Sequence, residues 1–127
     1  MDVDVPEIIK QVGFVFHWDT KKVWQLDIEV TRMPVNDLEW HFDIPFLWNK
    51  KAYNLTPWEV INHPEKYQEE FNRTLSAESQ FPIDIMKNKG RWLILDGLHR
   101  LMKAFIQKRQ IVNVRKIPRS AIPKIIK

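Results

Sequence analysis

Apolar and polar residues alternate in two early runs, Val12, Phe14, Phe16, Trp18 and then Trp24, Leu26, Ile28, Val30. A period of two predicts strands, and the turn-prone Asp19-Thr20-Lys21-Lys22 between them predicts a hairpin. The following stretch, Val35 to Pro45, is bounded by prolines and reads as a loop with a short helical turn. Thr56-Pro57-Trp58-Glu59 has the form of a helix start: a Thr N-cap, Pro at the first helical position and Glu three residues after the cap. This helix is short, because Asn62-His63-Pro64 interrupts it. A second helix is expected from Pro64 to about Ala77, with Tyr67, Phe71 and Leu75 on its buried side.

The pattern then changes again. Phe81 to Met86 and Trp92 to Leu95 flank the turn residues Lys87 to Arg91, a second predicted hairpin. Leu98, Leu101, Met102, Phe105 and Ile106 follow at helical spacing, forming one apolar stripe on a helix that ends near Lys108. Ile111 to Ile117 alternates once more. Strand, strand, helix and strand in this order predict an α+β domain with a mixed sheet. The strands at 92–95 and 111–117 would form a right-handed βαβ crossover if they shared a sheet. Residues 1–22 read as an N-terminal extension and 23–127 as the domain with a basic tail.

Charge sharpens this division. Residues 97–127 carry nine Lys and Arg and no acid, which leaves eleven bases against sixteen acids in the rest of the chain. A basic tail suits nucleotide phosphates, a nucleic-acid backbone or the protein's own acidic half, and charge alone does not choose among them. Arg115, Lys116, Arg119 and Lys124 are the tail residues placed to follow a nucleic-acid backbone, within a candidate basic segment of residues 100–124. With no cysteine, the chain has no disulfide, thiolate nucleophile or Cys-based zinc site. The four histidines lack ligand spacing, so no metal site is expected. No apolar run reaches the ~18 residues of a membrane span, and the first residues are acidic, so the expectation is a soluble cytoplasmic protein.

The junction Leu95-Asp96-Gly97-Leu98-His99-Arg100 carries the most chemistry. A helix beginning at Gly97 or Leu98 leaves its first N–H groups unpaired and positively polarised, a natural anion site. His99 and Lys103 are four apart, with Arg100 three before Lys103, which brings three nitrogen-bearing side chains near that helix start. The competing reading makes Asp96 the helix N-cap, bonded to the His99 N–H, and Gly97 a residue required by the tight turn. Trp40-His41-Phe42-Asp43 is the second suggestive segment, since alternation puts His41 and Asp43 on one side. Trp40 and Trp92 are candidates for base stacking.

The hairpin, the Asp-Gly-Leu-His-Arg turn, its helix and the strand Val112-Asn113-Val114 together resemble the ParB/sulfiredoxin superfamily across residues 24–118, most specifically at 92–106. That resemblance implies a small mixed sheet with packed helices. Sulfiredoxins place a reactive cysteine where Leu98 stands, so their chemistry is excluded while a phosphate-binding part is retained. The superfamily's free-serine kinases carry Asp-Gly-His-His-Arg, which the turn here matches at four of five positions. This match implies that Gly97, His99 and Arg100, with Leu98 and Lys103 beside them, hold the phosphates of ATP, ADP or CTP, with Mg2+ as companion. It places Asp96 at the reacting centre and requires an upstream acid as general base, for which Glu39 and Asp43 are the candidates. ParB proteins bind CTP at a similar turn, but these residues include no following helix-turn-helix domain, so a full partition protein is not expected. A ParB-like nuclease would need metal-holding acids, and Asp96, Glu39 and Asp43 lack paired spacing for them. The reading is a stand-alone nucleotide-binding domain, an NTPase or phosphotransferase, with a nucleic-acid-binding or protein-interaction module as the alternative.

Overall fold

The computed structural model describes residues 5–127. Strands β1 (Val30–Pro34), β4 (Ile83–Asn88), β5 (Arg91–Asp96) and β6 (Ile111–Lys116) form a mixed sheet of order β1-β6-β4-β5, and β2 (Leu47–Asn49) pairs with β3 (Ala52–Leu55) in a separate hairpin. The described residues also form six α-helices: α1 (Glu7–Val12), α2 (Thr20–Trp24), α3 (Pro57–Asn62), α4 (Gln68–Leu75), α5 (Leu98–Ile106) and α6 (Ile122–Ile125). The mixed α+β class expected from the pattern is the class observed.

Alternation along the central strands explains the layering. Ile83, Ile85, Val112 and Val114 point to a core shared with α3, α4 and α5, where Phe42, Val60, Leu101 and Met102 are almost fully buried. Met86 and Leu95 belong instead to a second core with Val23 of α2 and Ile125 of α6. Phe14, Phe16 and Trp18 pack against this second core, and the Trp18 indole N–H donates to Leu95 O at 3.1 Å. Asn88 also reaches the carbonyls of Val12 and Gly13, tying residues before position 22 to the sheet.

Several local signals hold. Thr56 accepts from the Glu59 N–H while Glu59 accepts from the Thr56 N–H, a complete capping box. The Thr56 N–H is also the main reason that the Glu59 carboxyl lies below its usual range. The β4–β5 turn places Lys89 at φ 51° and Gly90 at φ 82°, the paired positive values of a primed hairpin turn. The proline-bounded segment, expected as a loop with one short helical turn, holds two 3-10 turns, Val35–Asp37 and Glu39–Asp43.

The early hairpin is overturned. Asp19 accepts from the Lys21 N–H at 2.9 Å and starts α2 where a turn was expected, while residues before it form α1 and an irregular aromatic segment. Phe14, Phe16 and Trp18 have ring centroids 5.1 to 6.0 Å apart and form their cluster without any strand at these positions. Of the second run, only Val30 enters a strand. The second middle helix starts at Gln68 and not Pro64, because the amides of Lys66 and Tyr67 both bond His63 O in a turn. Tyr67 and Phe71 pack on the core as expected, but Leu75 is exposed.

The crossover also needs correction. β4 is antiparallel to β5 and parallel to β6, so β5 and β6 run oppositely with β4 between them. The parallel neighbours are therefore β4 and β6, connected through β5 and α5. A single strand–helix–strand unit does not describe this connection.

Candidate functional site

β5 ends at Asp96, the chain turns at Gly97, and α5 starts at Leu98. Gly97 has φ 115°, a backbone conformation that L side chains rarely adopt. A Cβ there would stand 3.2 Å from Ile83 Cγ1 and Cγ2 and from Arg100 Nη1. The groups packed closest to Gly97 are thus the protein's own Ile83 and Arg100. Gly97→Ala is expected to lower stability by about 2 kcal/mol, read as a shift in urea midpoint at unchanged slope.

No side chain caps α5. Its first internal bond is Leu101 N–H to Gly97 O at 3.0 Å, so the amides of Leu98, His99 and Arg100 precede the helical ladder. Asp96 does not act as the N-cap: its Oδ2 accepts from the Trp24 indole N–H at 2.8 Å and lies 3.5 Å from Arg100 Nη1. Asp96, Gly97, Leu98 and His99 line a cavity of about 630 Å³. Its remaining wall mixes the aromatic Phe14, Phe16, Trp18, Phe46 and Tyr53 with aliphatic residues such as Ile9 and Leu93.

The three basic side chains of this turn diverge. His99 Nε2 meets Glu70 Oε2 of α4 at 2.8 Å. Arg100 donates to Pro82 O at 3.1 Å and faces a different cavity. Lys103 donates to Ala77 O at 2.8 Å. The expectation of one convergent cluster is corrected accordingly: His99 borders the cavity at the helix start, whereas Arg100 and Lys103 bind carbonyls of the α4–β4 connection. The helix period set their angular positions, but the length of each side chain let a nearby carbonyl claim its end.

Glu39 and Asp43 lie apart from this arrangement. Glu39 lines a groove with Pro34, Ile61 and Phe105, and Asp43 accepts from the Trp58 indole N–H at 2.9 Å. Neither lines the cavity bordered by Asp96 and His99, so the pairing expected of a base with the turn is not formed. His41 does reach that cavity but separates from Asp43. It is buried, with Nδ1 2.8 Å from Leu38 O, while Nε2 lies 3.1 Å from the Ile94 N of β5. This pair of bonds requires a neutral imidazole that donates through Nδ1 and accepts through Nε2. Burial, assisted by the nearby Arg91 charge and opposed by the Leu38 carbonyl, lowers its pKa to about 4.

Trp40 packs within 3.9 Å of both the Arg91 guanidinium and the His41 ring, by centroid distance, and Trp92 lies under Lys87 and Lys116. The two expected base stackers already have partners. The basic tail is also partly committed, since Arg115 is buried and Arg119 donates to Lys87 O at 2.8 Å.

Arg115 belongs to a feature that motif reading missed. Val30, Arg115, Asp84 and Asp96 are successive partners across β1, β6, β4 and β5. Arg115 Nε donates to Asp84 Oδ1 at 2.7 Å, and its two terminal nitrogens reach Leu26 O and Val23 O at 2.8 and 2.9 Å. Burial raises the Asp84 carboxyl pKa above its usual value even though the Arg115 bond works against that rise. A charged residue within each of two apolar strands, Ile83-Asp84-Ile85 and Val112-Asn113-Val114-Arg115, was the available signal. Glu70 gave less warning, as one of three acids, Glu65, Glu69 and Glu70, close together in the sequence.

No family model matches the chain, and neither does a curated protein or a solved structure. Among the described residues, no group of three or more His, Asp or Glu side chains is arranged to hold a metal ion, and no helix is long and apolar enough to cross a membrane.

Proposed function

We propose that this chain is a nucleotide-binding domain of ParB/sulfiredoxin type, with an NTPase or phosphotransferase role. The observation carrying this reading is the uncapped start of α5, which opens with His99 onto a cavity of about 630 Å³ walled in part by aromatic rings. Free helix-start amides suit phosphate oxygens, and aromatic faces suit a purine or pyrimidine base. His99, oriented by Glu70, supplies the side-chain contact. Among the described residues of the cavity lining Asp96 is the one carboxylate, and it fits Mg2+ only in the manner of a nucleotide site, where phosphates and water complete the shell.

The reading makes backbone amides the principal phosphate donors and His99 their partner. Arg100 supports the turn through Pro82 O and Asp96. Calorimetry with ATP, ADP and CTP, each with and without Mg2+, is expected to find micromolar binding of at least one nucleotide. His99→Ala should weaken it about tenfold or more, the effect of losing a hydrogen bond to a charged group. Binding unchanged by His99→Ala, or no binding of any of the three, would contradict the proposal.

A further inference from the structure

On the α2 side of the sheet lies a second cavity of about 750 Å³, bounded by Trp24, Leu26, Ile28, Val30, Phe81 and the Asp84–Arg115 pair. It does not include Gly97, Leu98 or His99. We propose that this cavity binds a small organic cation with an apolar body, such as an arylalkylamine.

The lining has the shape chemistry of a ligand site. Trp24, Val30 and Phe81 are 55%, 50% and 49% exposed, an unusual concentration of large apolar side chains around one concavity. Trp24 is exposed yet held in place, because its indole N–H is fixed to Asp96 at 2.8 Å. An aromatic face already immobilised loses little entropy when a ligand settles on it. The volume falls within the range of small-molecule sites.

Charge selects the ligand's sign. Both guanidinium groups in the wall have carboxylate partners, Arg115 with Asp84 and Arg100 with Asp96. Arg115 also commits its two terminal nitrogens to Val23 O and Leu26 O. Two acids of the lining, Asp27 and Glu78, belong to none of the ion pairs among the described residues. The uncompensated charge is therefore negative. An ammonium group satisfies these carboxylates, while the aromatic faces of Trp24 and Phe81 favour both a cation and an apolar ring.

The test uses three probes of one shape: 2-phenylethylammonium, 2-phenylethanol and phenylacetate. Calorimetry is paired with the Trp24 indole N–H resonance, assigned by its loss in Trp24→Phe. The ammonium probe is expected to bind and to shift that resonance, with the neutral and anionic probes bound at least about fivefold more weakly. Asp27→Asn combined with Glu78→Gln, both exposed positions, is expected to weaken the ammonium probe by a similar factor while leaving the unfolding midpoint unchanged. Equal binding of the three probes, undiminished binding by the double variant, or failure of the ammonium probe to bind would each overturn the proposal. Nucleotide binding at α5 has no part in these outcomes.

Discussion

Arg115→Met is expected to destabilise the protein by about 3–5 kcal/mol at pH 7, the cost of leaving a buried carboxylate without its partner. The side chain supports three separated groups at once: Asp84 within the sheet, the carbonyl of Val23 in α2 and that of Leu26 just after it. Methionine retains much of the volume but none of the donors, so Asp84 and both carbonyls lose their bonds together. Because burial already raises the Asp84 pKa, the variant carboxyl should take up a proton more readily still. Its deficit should therefore shrink as pH falls. Asp84→Asn in the Arg115→Met background should recover part of the loss, so that the double variant is less damaged than the two single losses combined. Urea unfolding of the four proteins at pH 7 measures this coupling. A loss below about 1 kcal/mol for Arg115→Met would show that the pair contributes no more than an exposed salt bridge.

Stability should also fall as pH drops from about 6.5 toward 4, through His41. The folded-state pKa is lowered from 6.5 to about 4, so the unfolded chain binds a proton at this imidazole across a range where the folded chain does not. The full contribution is present above pH 6.5 and is lost as pH falls through 4. Integrated over that interval it amounts to about 3 kcal/mol. The structural reason is the Ile94 N–H, which needs the lone pair of Nε2 as its acceptor. Protonation would set two donors against each other within the wall of β5. Asp84 acts in the opposite sense because its folded pKa is raised, so the slope of wild type is to be compared with that of His41→Gln. Chemical denaturation at pH 7, 6, 5 and 4.5 gives both slopes. A wild-type slope no steeper than that of His41→Gln would contradict the assignment.

These two expectations rest on residues that the sequence disclosed unevenly. The late hairpin, α5 and β6 were legible because turn chemistry and hydrophobic period agreed, and Lys89 and Gly90 adopt the positive φ values that such a turn needs. The early hairpin failed because alternation of large aromatics also suits an irregular segment filling a core. Phe14, Phe16 and Trp18 do this against Leu95 and Ile125. The strand order was not legible at all, since a parallel β4–β6 pair joins residues whose local patterns say nothing of each other.

At the candidate site, the Asp-Gly junction and the start of α5 were legible from their own residues. The partners of His99, Arg100 and Lys103 were not, because Glu70, Pro82 O and Ala77 O arrive from another segment. For the same reason Glu39 and Asp43 looked suitable as acids in sequence, while their distance from Asp96 depends on how the 3-10 turns pack against α3. His41 was noticed for its neighbour Asp43, yet its bonds are to Leu38 and Ile94.

The central claim is that the start of α5 holds a nucleotide, and a backbone amide titration tests it at the atoms concerned. In two-dimensional ¹H–¹⁵N spectra recorded during ATP addition with Mg2+, the amides of Leu98, His99 and Arg100 are expected to shift most, together with the indole N–H of Trp18 on the aromatic wall. Saturable shifts confined to other surfaces, or none at the α5 start, would contradict the account.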